Sequence, residues 1–377
     1  MKNKLFSAKR RVGAFLLATF LITSFFSVKS GAKAPMSVNA KAAVLYLPET
    51  DTLLYSKNED DRLPMASTTK IMTALIAIER ENIDRNVKID QRAVGVEGSS
   101  AYLRAGEEFS MRELLYALML RSANDAAAAI AYAVAGDIDL FAVMMNEKAK
   151  ELGLQNTNFK NPHGLDDDEH YTTAFELAKI TAEALKYPEF REIVSSTSKR
   201  VVKEDVTRLF VNHNKLLSRY EGCIGVKTGY TQRSGRCLVS AAERDGVELI
   251  AVTLSCPDDW LEHEKMLDFG FDTLERVTLL RKHESLGSIE VTDGNANNVK
   301  VGLESDITVT RKSGDASPEI EIDIPDTLAA PVAYGDAVGK VRLIYPNGQV
   351  KEFDAIALEN VKSAKKKWLF DLFKQRT

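Results

Sequence analysis

Cysteine is scarce in this sequence, with three residues in 377. An odd and small number of cysteines in a chain of this length excludes a disulfide scaffold. We expect buried free thiols at Cys223, Cys237 and Cys256, with a bridge between Cys237 and Cys256 on neighbouring strands as the alternative. None of the three follows a nucleophile-like turn, so a catalytic cysteine is not expected.

Low-complexity tracts are absent as well, and the length suits about two globular domains. Residues 1–34 depart from the globular pattern, because a basic start is followed by an apolar run, 12–26, and then by small residues. This order is typical of a cleaved secretory signal, with cleavage after Ala32 because Pro35 would follow a cut after Ala34. The apolar run is shorter than the roughly 20 residues of a membrane span, which disfavours an uncleaved anchor.

Positive charge is in short supply in the mature chain. Residues 1–32 hold six basic and no acidic residues, so their removal changes the net charge from −4 to −10. An acidic exported protein is a poor binder of nucleic acid, and that class of partner is excluded.

The first of three motifs is Ser67 followed by Lys70. Pro64 ends the preceding segment, and the apolar run 71–78 predicts that Ser67 lies at the start of a helix. Residues three apart share a helix face, so the Lys70 amine is within reach of the Ser67 hydroxyl. An amine whose pKa is lowered by burial and by positive neighbours can take the serine proton. Taken alone, the pattern more often marks a capped helix with a solvated lysine.

The second motif is Ser122-Ala123-Asn124, which separates two apolar helical runs, 114–120 and 126–131. Polar groups buried between core helices need partners. Ser122 would relay a proton between a lysine and a leaving group, and Asn124 would hydrogen-bond a substrate amide. The alternative is a junction at which Ser122 and Asn124 cap the next helix.

The third motif is Lys227-Thr228-Gly229, followed by Tyr230, in a predicted antiparallel meander. Lysine and threonine side chains on one strand can bind a carboxylate, and Gly229 would let a ligand approach the backbone. A backbone N–H of this strand and that of Ser67 would form an oxyanion hole. The alternative is a solvent-facing lysine beside a hairpin.

Two histidines, His163 and His170, enclose the acidic run 166–169. Pro162 and Gly164 are typical of a surface loop, and no ligand-bearing helix is predicted beside them. We therefore expect a surface loop here rather than a zinc site, and neither a metal nor another cofactor for the protein.

Together and in this order, the three motifs form a set, and here the chain resembles the penicillin-recognising serine enzymes. The closest resemblance is to low-molecular-mass penicillin-binding proteins that are serine-type D-alanyl-D-alanine carboxypeptidases. Residues 64–66, 161–165 and 226–230 also resemble that family. The resemblance spans nearly the whole chain. It implies an α/β (α+β) fold, in which a β-lactamase/transpeptidase-like domain with an antiparallel sheet and helices, residues 35–277, precedes a small all-β domain, residues 285–358.

The resemblance also implies a mechanism. Ser67 would attack the carbonyl between the two terminal D-alanines of a peptidoglycan stem peptide, and Lys70 would take its proton. The last D-alanine would leave, protonated through Lys70 and Ser122, and water would hydrolyse the acyl-enzyme. The N–H groups of Ser67 and Tyr230 would hold the oxyanion, and penicillin would acylate the same serine.

Substrate binding follows from the same resemblance. Lys227 and Thr228 would bind the terminal carboxylate, and Asn124 would position the peptide amide. The second motif is Ser-Ala-Asn rather than the Ser-Asp-Asn of class A β-lactamases, and the acidic loop offers no glutamate as a separate deacylation base. Both points favour a peptidase over a β-lactamase. A DD-endopeptidase and a non-catalytic cell-wall-binding protein of the same fold stay as alternatives.

The C-terminal part reads as strands. Residues 318–325 alternate with period two, which predicts one buried face, and Pro346-Asn347-Gly348 predicts a hairpin. In the last stretch, 362–377, basic residues flank an aromatic helical face. This pattern indicates an amphipathic helix that binds a membrane surface with anionic lipids, and it is too short to span. We therefore expect an exported protein attached to the outer face of the cell membrane.

Overall fold

The computed structural model describes residues 36–203 and 206–364. The predicted signal segment, 1–32, and residues 365–377 of the predicted anchor lie outside the described residues. The described residues form seven α-helices, which are Lys70–Arg80 (α1), Met111–Leu120 (α2), Asn124–Ala135 (α3), Ile138–Glu151 (α4), Ala174–Leu185 (α5), Pro188–Ser195 (α6) and Asp259–Thr273 (α7).

The strands of the described residues fall into two groups. The first group lies before α7 and comprises Ala42–Leu47 (β1), Thr52–Lys57 (β2), Asn86–Lys88 (β3), Glu108–Ser110 (β4), Ser198–Lys203 (β5), Val206–Val211 (β6), Cys223–Thr231 (β7), Gly235–Arg244 (β8) and Val247–Leu254 (β9). The second group follows α7 and comprises Leu274–Leu280 (β10), Gly287–Thr292 (β11), Asn298–Gly302 (β12), Ile307–Lys312 (β13), Glu319–Asp323 (β14), Thr327–Ala329 (β15), Ala337–Ile344 (β16) and Val350–Ala357 (β17).

A five-stranded antiparallel sheet in the order β2-β1-β9-β8-β7 forms the centre of the first part. Helices cover both of its faces. On one face Leu45 lies against Gly270 of α7, and on the other Tyr46 packs edge-on against Phe175 of α5, with ring centroids 5.7 Å apart. Every residue of β1 is therefore buried, which explains its continuous apolar sequence. The predicted meander is confirmed as β7-β8-β9.

Helices α1, α2 and α3 form the apolar layer that carries the first two motifs. Helix α2 begins with a capping box, because the Ser110 hydroxyl accepts the N–H of Glu113 and the Glu113 carboxylate accepts that of Ser110. Within the described residues no single helix is long and apolar enough to cross a membrane, and α3 and α4 reach that length only together, with a bend of 83° between them.

The second part has its own core beneath a six-stranded sheet in the order β14-β16-β17-β12-β11-β15, and β10 pairs with β13 beside it. The predicted fold class, a mixed domain followed by an all-β domain, is confirmed. The predicted boundary at residue 277 falls inside β10, and the domain limits stay predictions.

The predicted buried face of residues 318–325 is present only at its two ends. Pro318 is buried and Ile324 packs against the second core. Between them all five residues of β14 are exposed, including Ile320 at 37% and Ile322 at 41%. The strand has one partner, β16, and lies at the edge of the sheet. Alternation therefore described the pleat correctly, but the middle of the apolar face is largely uncovered.

Candidate functional site

Ser67 lies on a single 3-10 turn, Ala66–Thr69, that precedes α1. The regular helix thus begins at Lys70 rather than at Ser67 as predicted. Ala66 adopts a left-handed backbone conformation with φ of 49°. Ser67 is partly exposed, Lys70 is fully buried, and the Lys70 Nζ atom lies 3.0 Å from the Ser67 Oγ atom. The predicted contact of the first motif is present.

The Lys70 amine has two further partners, the Oδ1 atom of Asn124 at 2.7 Å and the backbone carbonyl of His163. Both oxygens can only accept hydrogen bonds. A protonated amine would donate to both of these oxygens and to the Ser67 oxygen, whereas a neutral amine gives them its two N–H groups and can turn its lone pair to the Ser67 hydroxyl. The three partners therefore suit an amine that receives a proton from Ser67.

The electrostatic surroundings favour that neutral form. Burial lowers the pKa of the Lys70 amine well below its ordinary value, the positive charge of Lys227 lowers it further, and the carboxylate of Asp125 opposes them. Burial also lowers the pKa of the Lys227 amine, to about 7. Removing an ammonium group from water disfavours its charge, which is why both lysines titrate far below an exposed lysine.

The second motif contacts the first through Asn124. The Asn124 carboxamide accepts from Lys70 and donates to the carbonyl of Glu97, so its orientation is determined at both ends. Ser122 is buried in a left-handed conformation with φ of 60°. The capping alternative is wrong, since the N-cap of α3 is Ala123 and no side chain caps it.

The third motif lies on β7, which runs beside the serine turn. Lys227 is 1% exposed and donates from Nζ to the carbonyl of Thr228 at 2.8 Å, so the solvent-facing alternative is wrong. A Cβ at position 229 would lie 3.1 Å from the backbone nitrogen of Ser67. Gly229 thus lets the strand approach the serine turn itself, whereas the sequence suggested room for a ligand. Tyr230 is 66% exposed at the rim.

The loop 161–170 is part of the site, and its interpretation as a surface loop holds only for the exposed acidic run, 166–169. His163 and His170 are buried, and the His163 carbonyl binds the Lys70 amine. Gly164, with φ of 86°, packs so closely that a Cβ there would lie 1.9 Å from the carbonyl oxygen of Ala66. Sequence reasoning missed this role, although the left-handed glycine after Pro-His was a usable signal.

Of the three cysteines, all free, Cys237 and Cys256 are buried as predicted and Cys223 is partly exposed. Within the described residues, no group of three or more histidine, cysteine or carboxylate side chains is arranged to hold a metal ion.

Two known families together match most of the chain. The family described as D-alanyl-D-alanine carboxypeptidase matches residues 28–258. A second description, the C-terminal domain of penicillin-binding protein 5, matches residues 274–363.

Individual relatives agree. The D-alanyl-D-alanine carboxypeptidase DacF of Bacillus subtilis is 33% identical over 372 residues, covering 94% of this chain and 95% of the relative. The crystal structure of penicillin binding protein 5 from Haemophilus influenzae has a TM-score of 0.65 at 28% identity, covering 87% of this chain and 99% of that one. The Streptomyces K15 DD-transpeptidase has a TM-score of 0.60 at 34% identity, covering 63% of this chain and 98% of that one.

The contact between Gly164 and the serine turn generates a test. Gly164→Ala should slow the labelling of Ser67 by a fluorescent penicillin at least tenfold, because a misplacement of about 1 Å costs roughly that much or more. Gly153→Ala is the matched control, since Gly153 also has a positive φ, 73°, but open space around its Cβ position. The control should lose about 1 kcal/mol of stability and label normally. Normal labelling of Gly164→Ala would show that the contact is dispensable.

Proposed function

This chain belongs to the D-alanyl-D-alanine carboxypeptidase family and is a hydrolase, and we propose that it removes the terminal D-alanine from peptidoglycan stem pentapeptides through an acyl-enzyme on Ser67. The observation that carries the assignment of Ser67 is the set of partners around the Lys70 amine. Two strict acceptors and the Ser67 Oγ atom surround its nitrogen, so that in the neutral form two N–H groups reach the acceptors and the lone pair is available to the serine hydroxyl.

In the acylation step, Ser67 Oγ attacks the carbonyl carbon of the penultimate D-alanine while its proton passes to Lys70 Nζ. General-base assistance of this kind contributes about 10²–10⁴ in rate. The negative charge that develops on the carbonyl oxygen is held by the N–H groups of Ser67 and Tyr230. Collapse of the tetrahedral intermediate breaks the C–N bond, and the leaving amine takes the proton from Lys70 through the hydroxyl of Ser122.

Water completes the cycle by attacking the ester, and Lys70 accepts its proton. The bond between the acyl carbon and Ser67 Oγ then breaks, Lys70 returns the proton to Oγ, and the shortened stem peptide leaves as a carboxylate. Penicillin enters the same path, because its β-lactam carbonyl occupies the position of the scissile amide, and it leaves an ester on Ser67.

The substrate's terminal carboxylate would bind at the end of β7. A lysine binds a substrate carboxylate best when no protein carboxylate already pairs with it. The Lys227 amine fulfils this condition, because its hydrogen-bond partner is the neutral carbonyl of Thr228. The Thr228 hydroxyl would supply the second donor, and the Asn124 amide group would align the peptide.

The loop carboxylates support a peptidase over a β-lactamase. Asp166 accepts a hydrogen bond from the Thr231 hydroxyl at 2.9 Å. Asp168 forms an ion pair with Arg233 at 2.6 Å, and Glu169 forms one with Lys160. In the described part of the chain, no carboxylate hydrogen-bonds the serine or lysine of the first motif. A separate acidic base for deacylation therefore has no support in this geometry.

Catalysis is favoured over mere binding of the cell wall. Burying Lys70 beside a second lysine opposes folding, because burial and the positive charge of Lys227 both disfavour its charged form. A binding protein gains nothing from that arrangement, whereas a nucleophilic serine requires a neutral amine.

We further propose that the protein is exported by residues 1–32 and held at the outer face of the membrane by its last residues. The basic and aromatic pattern of 362–377 supports this anchor. The backbone N–H groups of Lys362 and Ala364 hydrogen-bond to the loop after β11, so we assign the anchor to the residues that follow them.

D-alanine release from a stem pentapeptide ending in D-Ala-D-Ala tests the activity directly. The protein without residues 1–32 should release D-alanine, and Ser67→Ala should abolish release and penicillin labelling together. Ser285→Ala, an exposed serine of the β domain, should leave both unchanged. Labelling without release would redirect the assignment to an endopeptidase, tested on cross-linked dimers. The absence of both would favour the binding protein.

The role of Lys227 predicts a pH dependence. Its pKa of about 7 means that the charge is present below that pH and is lost as pH rises through it. The ratio of kcat/KM for the D-Ala-D-Ala substrate over its C-terminal amide should therefore fall up to tenfold per pH unit above about 7. Because Lys70 acts as the base with both substrates, its titration cancels in this ratio. Lys227→Arg keeps its charge and should flatten the ratio, and an unchanged slope in that variant would exclude Lys227 as the carboxylate ligand.

Deleting residues 365–377 should release the protein from cell membranes to the soluble fraction. The same deletion should abolish sedimentation with vesicles containing anionic lipid, because the aromatic face and the basic flanks leave together. Penicillin labelling at the normal rate would show that the truncated protein is folded. Continued membrane retention of the truncated protein would rule out the C-terminal anchor.

A further inference from the structure

His170 is a buried histidine that the mechanism above does not use, and its contacts determine where its proton sits. It is 3% exposed, and both ring nitrogens have partners. The backbone nitrogen of Lys160 lies 3.0 Å from Nδ1, and the Thr69 hydroxyl lies 2.7 Å from Nε2. A backbone N–H can only donate, so Nδ1 is the unprotonated nitrogen and the proton of the neutral ring is on Nε2.

The direction of the next hydrogen bond is determined in the same way. The Thr69 hydroxyl lies 2.8 Å from the carbonyl oxygen of Ala66, which can only accept. The hydroxyl proton is therefore given to Ala66, and the hydroxyl oxygen accepts from His170 Nε2–H. A one-directional chain of donors runs from His170 through Thr69 to the Ala66 carbonyl.

That carbonyl belongs to the same peptide group as the N–H of Ser67. A trans peptide is planar, and its C=O and N–H point in opposite directions. Holding the Ala66 oxygen on one side therefore aims the Ser67 N–H to the other. The need for such a restraint is visible in the backbone, since Ala66 has φ of 49°, a conformation that residues other than glycine rarely adopt.

We propose that His170 is a positioning residue, whose Nε2–H acts through Thr69 and the Ala66 carbonyl to orient the Ser67 N–H toward the oxyanion. This inference rests on the proposed function, because an oxyanion forms only if Ser67 is the nucleophile. His170 itself touches neither the substrate nor the nucleophile. His170 lies 101 positions from Thr69 in the chain, so the loop after α4 and the serine turn are joined at this contact.

The charged groups around His170 suit a neutral ring. Burial lowers its pKa to about 4, with Asp167 opposing that shift and Lys70 adding to it. His163, whose own pKa is lowered to about 3, is the other titratable neighbour. The ring edge of Phe159 closes the remaining side, with ring centroids 5.8 Å apart. A proton added at Nδ1 would face the Lys160 N–H, donor against donor.

Two substitutions separate the two ring nitrogens. The terminal amide of glutamine reaches the position of Nε2, so His170→Gln keeps a donor for Thr69. The shorter amide of asparagine reaches the position of Nδ1, so His170→Asn keeps the acceptor for Lys160 and loses the donor. Both side chains are neutral and polar, which makes the pair matched in charge.

The measurement is the acylation rate of Ser67 by a fluorescent penicillin, together with kcat and KM for D-alanine release from a stem pentapeptide. His170→Asn should lower the acylation rate and kcat by roughly tenfold to a hundredfold, with KM changed less than threefold, because the loss falls on the oxyanion. His170→Gln should stay within about threefold of the wild-type rate.

Two controls distinguish positioning from stability. His263 is equally buried and binds the hydroxyls of Ser240 and Thr253, away from the serine turn, so His263→Gln should lower Tm without lowering the acylation rate. Thr69→Val removes the hydroxyl that links His170 to the Ala66 carbonyl and should reproduce the His170→Asn defect. The double variant, with both substitutions, should be no worse than either single variant.

The inference is overturned if His170→Asn is acylated at the wild-type rate. It is also overturned if the Gln and Asn variants lose activity equally and in step with their Tm, since that is the mark of a purely structural histidine. A wild-type protein that neither reacts with penicillin nor releases D-alanine overturns the proposed function. A reactive wild type beside an equally reactive His170→Asn overturns this inference alone.

Discussion

One buried amine determines how the rest of the site must be built. An ammonium group in a low-dielectric interior costs several kcal/mol unless it is paired, and the Lys70 amine has no carboxylate bound to it within the described residues. Burial meets that constraint by favouring the neutral amine, and two oxygen acceptors on separate segments receive its N–H groups. The start of α3 supplies one acceptor, the loop after α4 supplies the other, and the serine hydroxyl lies 3.0 Å from the same nitrogen. Three segments that are far apart in the sequence are therefore held to one nitrogen atom.

The Asp125 carboxylate, which favours the charged form of this amine, has another task. Asp125 accepts hydrogen bonds from the Ser100 hydroxyl and from the backbone N–H groups of Ala101 and Leu103. It orders the loop that precedes α2 instead of neutralising the lysine. Burial and Lys227 on β7 therefore disfavour the positive charge of Lys70, and Asp125 offsets only part of this effect. Stability is sacrificed locally for an amine that loses its proton at a lower pH than an exposed lysine does, as active sites commonly require.

The central sheet explains why such a site can persist. Its strands β1, β8 and β9 are buried on both faces, and β7 lies at the edge where the serine turn packs. Close approach at Gly229 and at Gly164 brings backbone against backbone on two sides of that turn. A left-handed alanine and a left-handed serine are tolerated because the surrounding packing restrains them. The β domain contributes none of these contacts, and its core is separate.

The sequence by itself determined the chemistry and the kind of fold. The three motifs, their order and the capping box can be identified from residue types and short spacings, because helix starts, turns and meanders are local properties. It could not determine what the loop 161–170 does, since the burial of His163 and His170 depends on α1 arriving from a hundred residues away. It also gave the wrong burial for β14, because alternation shows which side chains share a face and not whether anything covers that face. Only the tertiary structure decided that Lys70 loses its proton more easily than an exposed lysine and which nitrogen of a neutral His170 carries the proton, since these follow from burial and from the groups that distant segments bring within hydrogen-bond distance.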